Sequence, residues 1–362
     1  MIKTAGINEA RFDHDFSTGE SLGLLIEESR TNLIPQSQQY TSTYWSDLTS
    51  LPNGWTTTAG PAPDGSNTVT TWNSGSQIYR TNISYSVGPQ YTASVFVKDM
   101  TGGGGSVRLG PDRTNRYVGG DPRVTFKPST QSFTTVGSGV QGYGYHEYPN
   151  GWYRVFFKYK LSLSDDIFNI VLLGAYNIGI WGAQIEEGSF PTSHIPTSTS
   201  TVTRAADVAD IIEDNFTSFY NQSEGTVFVE ASNYPHPVTG KALAPFAYSD
   251  NSFNNRIALG GSTGTSQFNF DVVANGSTVR AILGNYNTNG LKTAGSYKST
   301  GSAASLAGAT AVTSNTNNIP SSINLLNIGN THNGQNPLNG HIKRLAYMPH
   351  RLPDTILQSM TS

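Results

Sequence analysis

Apolar and polar residues alternate in short segments along most of this chain, and the alternation predicts β-strands. The clearest case is YTASVFVK at residues 91–98, where Ala93, Val95 and Val97 fall on one face and polar residues, apart from Phe96, on the other. Successive side chains of an extended chain point to opposite faces, so one face of this segment is apolar. The pattern predicts a half-buried antiparallel strand.

Further segments rich in β-branched and aromatic residues are separated by Gly, Pro, Asn and Asp clusters that favour turns. These predicted strands lie at residues 123–126, 152–163, 169–175, 224–231, 256–261, 266–273, 278–284, 323–329 and 341–348. After the last of them, Pro353 and Asp354 predict the start of a short helix. Its Ile356, Leu357 and Met360 are expected to pack against the strands.

Composition supports a β-rich chain. The 362 residues include 38 Gly, 18 Pro, 18 Tyr and 16 Phe, and only 13% are charged, which favours turns and aromatic strands over solvated helices. The length suggests about two domains. Pro191, Pro196 and the Ser/Thr-rich residues 197–203 predict a linker between them. The GGGGS sequence at 102–106 is expected at an exposed hairpin tip.

Several classes of function are disfavoured. The sequence has no 18-residue apolar run and its N-terminus lacks the apolar core of a signal peptide, so we expect neither membrane insertion nor signal-directed export. The absence of cysteine excludes disulfides and thiolate metal sites. A net charge of -3 without a Lys/Arg cluster argues against a nucleic-acid partner.

One stretch resembles a known protein family. Residues 180–208, IWGAQIEEGSFPTSHIPTSTSTVTRAADV, are similar to a passage that recurs in phage tail-fibre and related virion proteins. The resemblance extends over most of the chain, through segments at residues 10–15, 19–34, 150–155, 224–231 and 340–361. It implies a virion appendage in which a carbohydrate-binding-like jelly roll precedes a concanavalin A-like or laminin G-like domain.

The predicted fold class is therefore all-β, with two tandem antiparallel β-sandwiches and a short C-terminal helix. We expect an N-terminal arm at residues 1–19, the first sandwich at 20–203 and the second at 204–362. In the family, residues 212–225 resemble the first strand of the second sandwich. The family also implies a homotrimer that binds other virion proteins and is released with the virion by host lysis.

Aromatic residues in polar sequence are candidates for glycan binding, because ring faces stack on the C–H faces of sugars. Trp45, Trp55 and Trp72 all lie in loop-rich segments. The alternative for each is an inward-packing core residue, since tryptophan is highly buried on average. Trp152 and Trp181 lie inside strand-like segments and are expected in the core.

A second candidate for glycan binding is the polar segment YSDNSFNNR at residues 248–256. Asp250, Asn254, Asn255 and Arg256 could hydrogen-bond sugar hydroxyls. The alternative is an ordinary solvated turn, since Asn and Asp favour turns whatever the function. The NTHNGQN segment at 330–336 is a similar case, with His332 as a loop histidine.

No cofactor is required by the sequence, but a structural calcium ion is a candidate. Glu28 and Glu187, next to Glu27 and Glu186, would meet if the strands carrying them paired, and carboxylates are the ligands that calcium accepts. The alternative is solvated or salt-bridged acids near Arg30.

We expect no catalytic residues. The carboxylate pairs are adjacent in sequence, so in a strand they point to opposite faces. His146, among tyrosines in GYGYHEYPN, suggests a lyase, but the segment matches a turn and strand of the family. The sequence thus predicts a non-catalytic tail-fibre or receptor-binding protein that binds host-surface glycans. Alternatives are a structural virion protein and, less favoured, a polysaccharide depolymerase.

Overall fold

The computed structural model describes the whole chain except residues 1, 4, 7, 41–44, 48–54, 58–59, 73–76, 81–82, 112–113, 166, 174–176, 233–242, 262–266, 286–289 and 316–317. The chain forms two compact units. The first comprises residues 1–4 and 29–204, and the second comprises residues 5–28 and 205–362. None of the described helices is long and apolar enough to cross a membrane.

The chain opens with two strands of the second unit, β1 (Phe12–His14) and β2 (Ser21–Ile26). The strands of the first unit follow: β3 (Arg30–Asn32), β4 (Ser46–Asp47), β5 (Trp55–Thr57), β6 (Thr70–Trp72), β7 (Gln77–Arg80), β8 (Gln90–Asp99), β9 (Ser106–Leu109), β10 (Val124–Lys127), β11 (Ser132–Val136), β12 (Gly142–Tyr148), β13 (Trp152–Lys160), β14 (Phe168–Leu173), β15 (Ile178–Glu187) and β16 (Val202–Arg204). Single 3-10 turns occur at Thr114–Arg116, Pro128–Thr130 and Pro149–Gly151.

The remaining elements all belong to the second unit. They are β17 (Asp210–Ile212), helix α1 (Glu213–Thr217), β18 (Glu224–Ser232), β19 (Leu243–Ser249), β20 (Arg256–Gly261), β21 (Gln267–Ala274), β22 (Ser277–Asn285), β23 (Leu291–Lys298), β24 (Gly301–Leu306), β25 (Val312–Ser314), β26 (Leu325–Ile328), β27 (Gly340–Met348) and helix α2 (Asp354–Met360).

Two six-stranded antiparallel sheets make up most of the first unit. Their strand orders are β11-β10-β9-β14-β7-β4 and β12-β13-β8-β15-β6-β5, and β3 pairs with β16 in a small separate sheet. Alternate residues of the large sheets, such as Val95, Phe126 and Phe157, are buried in one apolar core. Strands β8, β10 and β13 therefore each place an apolar row between the sheets.

The second unit is also a sandwich of two antiparallel sheets. A seven-stranded sheet has the order β1-β2-β27-β18-β23-β24-β25, and a six-stranded sheet has the order β17-β26-β19-β20-β21-β22. Val229 and Tyr297 from the first sheet share a core with Phe246 and Phe270 from the second. The predicted fold class of two antiparallel β-sandwiches with a short C-terminal helix is confirmed.

The division into units differs from the predicted domains at the N-terminus. Residues 1–19 were expected to form an arm and residues 20–28 to start the first sandwich, but residues 5–28 belong to the second unit. The cause is strand pairing between β2 and β27, in which Leu24 lies opposite Ile342. Ile26 is buried in the core of the second unit.

The Ser/Thr-rich tract is not a free linker. Thr197 is buried, its hydroxyl donates to the carbonyl of Ile34 at 2.5 Å, and its amide donates to Oγ of Ser37 at 2.9 Å. Val202–Arg204 then form β16. The Ser and Thr hydroxyls were expected to hydrogen-bond backbone groups within the tract. The hydroxyl of Thr197 instead bonds Ile34 and so attaches the tract to the rest of the first unit.

Two other local predictions were wrong. Strand β8 is buried on both faces, because Phe96, Trp152 and Trp181 form a second apolar cluster on the face expected to be solvated. The glycine-rich residues 102–106 do not form a hairpin tip. They connect β8 to β9, which belong to different sheets.

The two helices differ in how well the sequence predicted them. Helix α2 begins after Pro353, as predicted, and Leu357 and Met360 pack against the sheet residue Phe228, whereas Ile356 is exposed. Helix α1 lies in the segment 212–225 that was expected to form a strand.

Glycine 23 provides a test of this N-terminal pairing. Gly23 has a φ of 101°, and a Cβ there would overlap the carbonyl oxygen of Ile342, whereas Gly19, with a φ of 74°, has no described atom within 4 Å of such a Cβ. A left-handed φ costs a non-glycine residue about 1–2 kcal/mol. We expect Gly23→Ala to destabilise the second unit by clearly more than Gly19→Ala does.

All five tryptophans lie between residues 45 and 181, within the first unit, so their fluorescence reports that unit alone, whereas far-UV circular dichroism reports both. In urea, Gly23→Ala should lower the midpoint of a dichroism transition and leave the tryptophan transition in place. Equal effects of the two variants, or a shift confined to the tryptophan signal, would contradict the assignment.

Candidate functional site

The loop at residues 250–255, between β19 and β20, carries the exposed ring of Phe253. This residue is 66% exposed. Monomeric proteins tolerate single exposed apolar residues, but a ring held in a fixed position by its surroundings is typical of a binding site. Whether Phe253 is a candidate for ligand binding therefore depends on the contacts that hold this loop.

Asp250 is the centre of the loop. One carboxylate oxygen accepts from the amide of Ser252 at 3.1 Å and from its hydroxyl at 2.6 Å. The other accepts from Nδ2 of Asn255 at 2.8 Å and from the hydroxyl of Ser322 at 3.0 Å. Burial acts to raise the pKa of Asp250, but these hydrogen bonds outweigh it and hold the pKa below its usual value. The ionised carboxylate stabilises the loop.

Asn254 and Asn255 have different roles despite being neighbours. Asn255 uses both ends of its amide, since Nδ2 donates to Asp250 and Oδ1 accepts from the amide of Asn275 at 3.0 Å. Asn254 bonds the turn at Gly276 through its main-chain carbonyl at 3.0 Å, and its side chain is exposed. Asn255 thus fixes the loop, and Asn254 presents an amide to solvent.

Arg256 braces the same loop from the start of β20. Its guanidinium donates to the carbonyl of Phe253 and, at 3.4 Å, to Asp271. Its Cζ lies 5.8 Å from the centre of the Phe253 ring, within reach of a cation–π interaction. Asp271 also accepts two hydrogen bonds from Arg280, at 2.7 and 2.8 Å, which together with its charge raise the pKa of Arg280.

His332 supports the ring from a second loop. The ring centres of Phe253 and His332 are 4.0 Å apart in an edge-on arrangement with an interplanar angle of 62°. His332 is only 5% exposed, and its carbonyl accepts from the hydroxyl of Ser249 at 2.9 Å. Its own loop is closed by hydrogen bonds between Thr331 and both Gly334 and Gln335. The contact joins the two polar loops that the sequence suggested separately.

Burial lowers the pKa of His332 to about 4, and the positive charge of Arg256 adds to this effect, while Asp250 opposes it. The imidazole that contacts Phe253 is therefore neutral at pH 7. A neutral ring packs against an aromatic edge without the cost of burying a charge.

The Phe253 site, defined as Phe253 and Asn254 with their supports Asp250, Asn255, Arg256 and His332, suits a ligand with both apolar and polar faces. The phenyl ring offers a surface for C–H groups, and the exposed amide of Asn254 can bond hydroxyls. Within the described ranges, no three His, Asp or Glu side chains gather as they would around a metal ion.

The sequence identified four residues of this site, and the structure assigns them different parts. Asp250, Asn255 and Arg256 hold the loop, whereas Asn254 is exposed to solvent. Phe253 and the part played by His332 were missed. An aromatic residue inside the polar sequence SDNSFNNR was a usable signal for Phe253, but no local pattern reveals its contact with His332, 79 residues away.

The prediction for Trp45 was wrong. Trp45 is 6% exposed, packs against Tyr40 with ring centres 4.9 Å apart and an interplanar angle of 46°, and donates from Nε1 to the carbonyl of Gln36 at 3.1 Å. It is a core residue, and so are Trp152 and Trp181, as expected. The backbone carbonyl of Gln36 satisfies the buried indole NH, so a tryptophan in a polar segment can lie in the core.

Trp55 and Trp72 stay predictions. Their backbones lie opposite each other where β5 pairs with β6, and their side chains are outside the part of the chain that the structure describes.

The strand pairing on which the calcium prediction depended is not formed. β2, which precedes Glu28, pairs with β27, and β15, which carries Glu187, pairs with β6 and β8. Glu28 belongs to the second unit, where its amide donates to Asn339 at 2.7 Å, and Glu187 is exposed at the end of β15 in the first unit. The neighbouring Glu186 is buried and accepts three hydrogen bonds, from Gln184 and from the amide and hydroxyl of Thr192. A calcium ion held by Glu28 and Glu187 stays a prediction.

No protein-family model matches this sequence, and no curated protein matches it. Similar solved structures include the carbohydrate-binding module CBM40 of the Ruminococcus gnavus IT-sialidase, with 12% identity and a TM-score of 0.36 over 43% of this chain and 92% of that one. Domains LG4-5 of the mouse laminin alpha1 chain share 9% identity, with a TM-score of 0.31 over 91% of each chain. The NanB sialidase of Streptococcus pneumoniae shares 11% identity, with a TM-score of 0.32 over 42% of this chain and 26% of that one. Likenesses of this size carry no conclusion about what this chain binds.

The pKa of His332 can be tested directly. Because the folded state binds this proton less readily than the unfolded state, whose histidine pKa is about 6.5, folding stability should fall as the pH falls from about 6.5 towards about 4. An NMR titration should give His332 a midpoint near pH 4, with its resonance identified by its loss in His332→Gln. A midpoint near 6.5 would show that the imidazole is not buried against Phe253.

Proposed function

We propose that this protein is a non-catalytic glycan-binding protein and that the Phe253 site contacts the glycan. The observation that carries the proposal is a 66% exposed phenyl ring supported by His332 and Arg256 in a loop fixed by Asp250. A fixed ring loses little conformational entropy when a sugar stacks on it. The exposed amide of Asn254 supplies a donor and an acceptor beside the ring.

We propose further that the chain is part of a phage virion appendage that attaches to polysaccharides of the bacterial surface. The support for this context is the sequence resemblance of residues 180–208 to phage tail-fibre proteins. In this proposal the protein works outside the cell in which it was made, in contact with other virion proteins. A trimer would repeat each shallow site and raise avidity without new contacts.

The test uses a matched pair of exposed phenylalanines in the second unit. Phe12 is 65% exposed and Phe253 is 66% exposed, so Phe12→Ala and Phe253→Ala remove equally exposed rings. On immobilised bacterial surface polysaccharides that retain the wild-type protein, Phe253→Ala should weaken binding about tenfold, which corresponds to roughly 1.4 kcal/mol. Phe12→Ala should bind like the wild type. Equal losses of binding in the two variants, or no loss of binding in Phe253→Ala, would contradict the assignment of the Phe253 site.

Two asparagine variants separate ligand contact from loop stability. Asn254→Ala should weaken binding without changing the unfolding midpoint, because its side chain is exposed. Asn255→Ala removes partners from Asp250 and from the amide of Asn275, so it should lower the free energy of unfolding by about 0.5–1.5 kcal/mol for each bond lost. Urea unfolding and the binding assay measure both, and the reverse pattern would refute the assigned roles.

A structural virion protein is the second candidate, and one observation favours it. Phe12 and Val208 are exposed apolar residues, and each directly follows a member of the Arg11–Asp207 ion pair, which brings them to one region of the second unit. If this region binds another virion protein, Phe12→Ala should weaken that association and Phe253→Ala should not. Running the glycan assay with calcium and with chelator, while following polymer length, also tests the calcium and depolymerase alternatives.

A further inference from the structure

The first unit has an aromatic cluster at one edge of its sandwich that the function above does not use. Strands β11 and β12 are the outermost strands of the two large sheets, so neither has a described neighbour on its free side. Four rings, those of Phe133, Tyr143, Tyr145 and Tyr153, lie along this edge. We call them the edge cluster.

The edge cluster is anchored in the core. The fully buried Phe126 has its ring centre 5.2 Å from those of both Phe133 and Tyr145. Phe133 in turn lies edge-on to Tyr143, with ring centres 4.7 Å apart and an interplanar angle of 67°. Tyr143 is 50% exposed. The outermost ring is therefore held by a chain of ring contacts that starts in the core.

Polar groups surround these rings at defined positions. Nε2 of Gln131 donates to the hydroxyl of Tyr153 at 2.9 Å. The hydroxyl accepts in this bond and can still donate its own proton to a ligand. Glu147 is exposed and pairs directly with Tyr153 across β12 and β13, so it shares a face of β12 with Tyr143 and Tyr145. A carboxylate next to ring faces can accept hydrogen bonds from vicinal sugar hydroxyls.

The charge of this edge selects among ligands. Strand β11, SFTTV, has no charged residue, and Glu147 is the charged residue on the cluster face of β12. His146 lies on the opposite face, stacked on Phe156 with ring centres 5.1 Å apart. Lys127 extends towards Gly104. A single carboxylate repels acidic sugars and leaves neutral ones free to bind.

The size of the cluster favours a sugar over a protein. A stable protein interface buries roughly 800 Å² on each partner. Here the exposed apolar side chains are Tyr143, at 50%, and Val136 of β11, at 38%. Ser132, Thr134 and Thr135 of β11 are exposed and polar. That arrangement matches one or two pyranose rings better than a second chain.

We propose that the edge cluster is a second glycan-binding site, specific for neutral sugars, with Tyr143 as the stacking ring and Glu147 as the acceptor. This inference goes beyond the function proposed for the Phe253 site and does not depend on it. The two sites lie in different units and share no residue.

The test measures retention of the full chain on neutral and acidic polysaccharides. Tyr143→Ala should weaken binding to neutral polymers about tenfold, and Tyr143→Phe, which keeps the ring, should lose much less. Leu163→Ala is the matched control, because Leu163 is 55% exposed in the same unit. Glu147→Gln should weaken neutral binding and lessen the discrimination against acidic polymers. Each variant is also made in the Phe253→Ala background, so that binding by the edge cluster is measured without a contribution from the Phe253 site.

Two results would overturn this proposal. One is that Tyr143→Ala and Leu163→Ala bind alike over the whole panel, whatever Phe253→Ala does. The other is that Tyr143→Ala changes the oligomeric state, measured by light scattering, with glycan retention unchanged, because the edge would then pair with a second copy of the chain. Failure of Phe253→Ala alone would instead refute the Phe253 site.

Discussion

Hydrogen bonds between β2, near the start of the chain, and β27, near its end, close the second unit. Without them the core residue Ile26 would have no place among Phe246, Tyr248 and Ile257. The same region is held by Arg11, which bonds both Glu27 and Asp207. Burial lowers the pKa of Arg11, but the hydrogen bonds and charges of Asp207 and Glu27 outweigh it and raise that pKa above its usual value. The ion network is thus stabilised in its charged form at pH 7.

This closure matters for the Phe253 site because the site rests on the ends of β19 and β20. Tyr248 and Ile257, next to the loop, point into the core that Ile26 completes. Their neighbours Ser249 and Arg256 point to the other face and contact His332 and Phe253. Because successive side chains of a strand point to opposite faces, packing of Tyr248 and Ile257 in the core also fixes the positions of Ser249 and Arg256 at the site.

The sequence predicted ten of the 27 strands in the described part of the chain, among them β8, β13, β18 and β27, and it predicted helix α2. Their signals are local: an alternation of period two, turn residues, and a proline followed by an aspartate. It did not predict that residues 20–28 pair with the last strand, since pairing partners far apart in sequence leave no periodic signal. The same limit explains the site. Asp250, Asn254, Asn255 and Arg256 were identified as one polar run, whereas the contact of Phe253 with His332 depends on β26 lying beside β19.

Both candidate sites are built in the same way, and the construction explains why an exposed ring is tolerated. Phe253 is supported by a buried neutral imidazole, and Tyr143 by Phe133 and the buried Phe126. In each case part of the ring gains packing energy while much of it stays exposed. Exposed aromatic area costs solvation free energy, and ring-to-ring contacts of about 0.5–1.5 kcal/mol offset part of that cost. The sites differ in charge. Arg256 lies beside Phe253 and is paired with Asp271, which also binds Arg280, whereas Glu147 lies on the same face of β12 as Tyr143, four residues further along the strand. A chain with two such shallow sites of different charge could hold a heterogeneous surface polysaccharide through weak contacts that add in avidity rather than through one deep pocket.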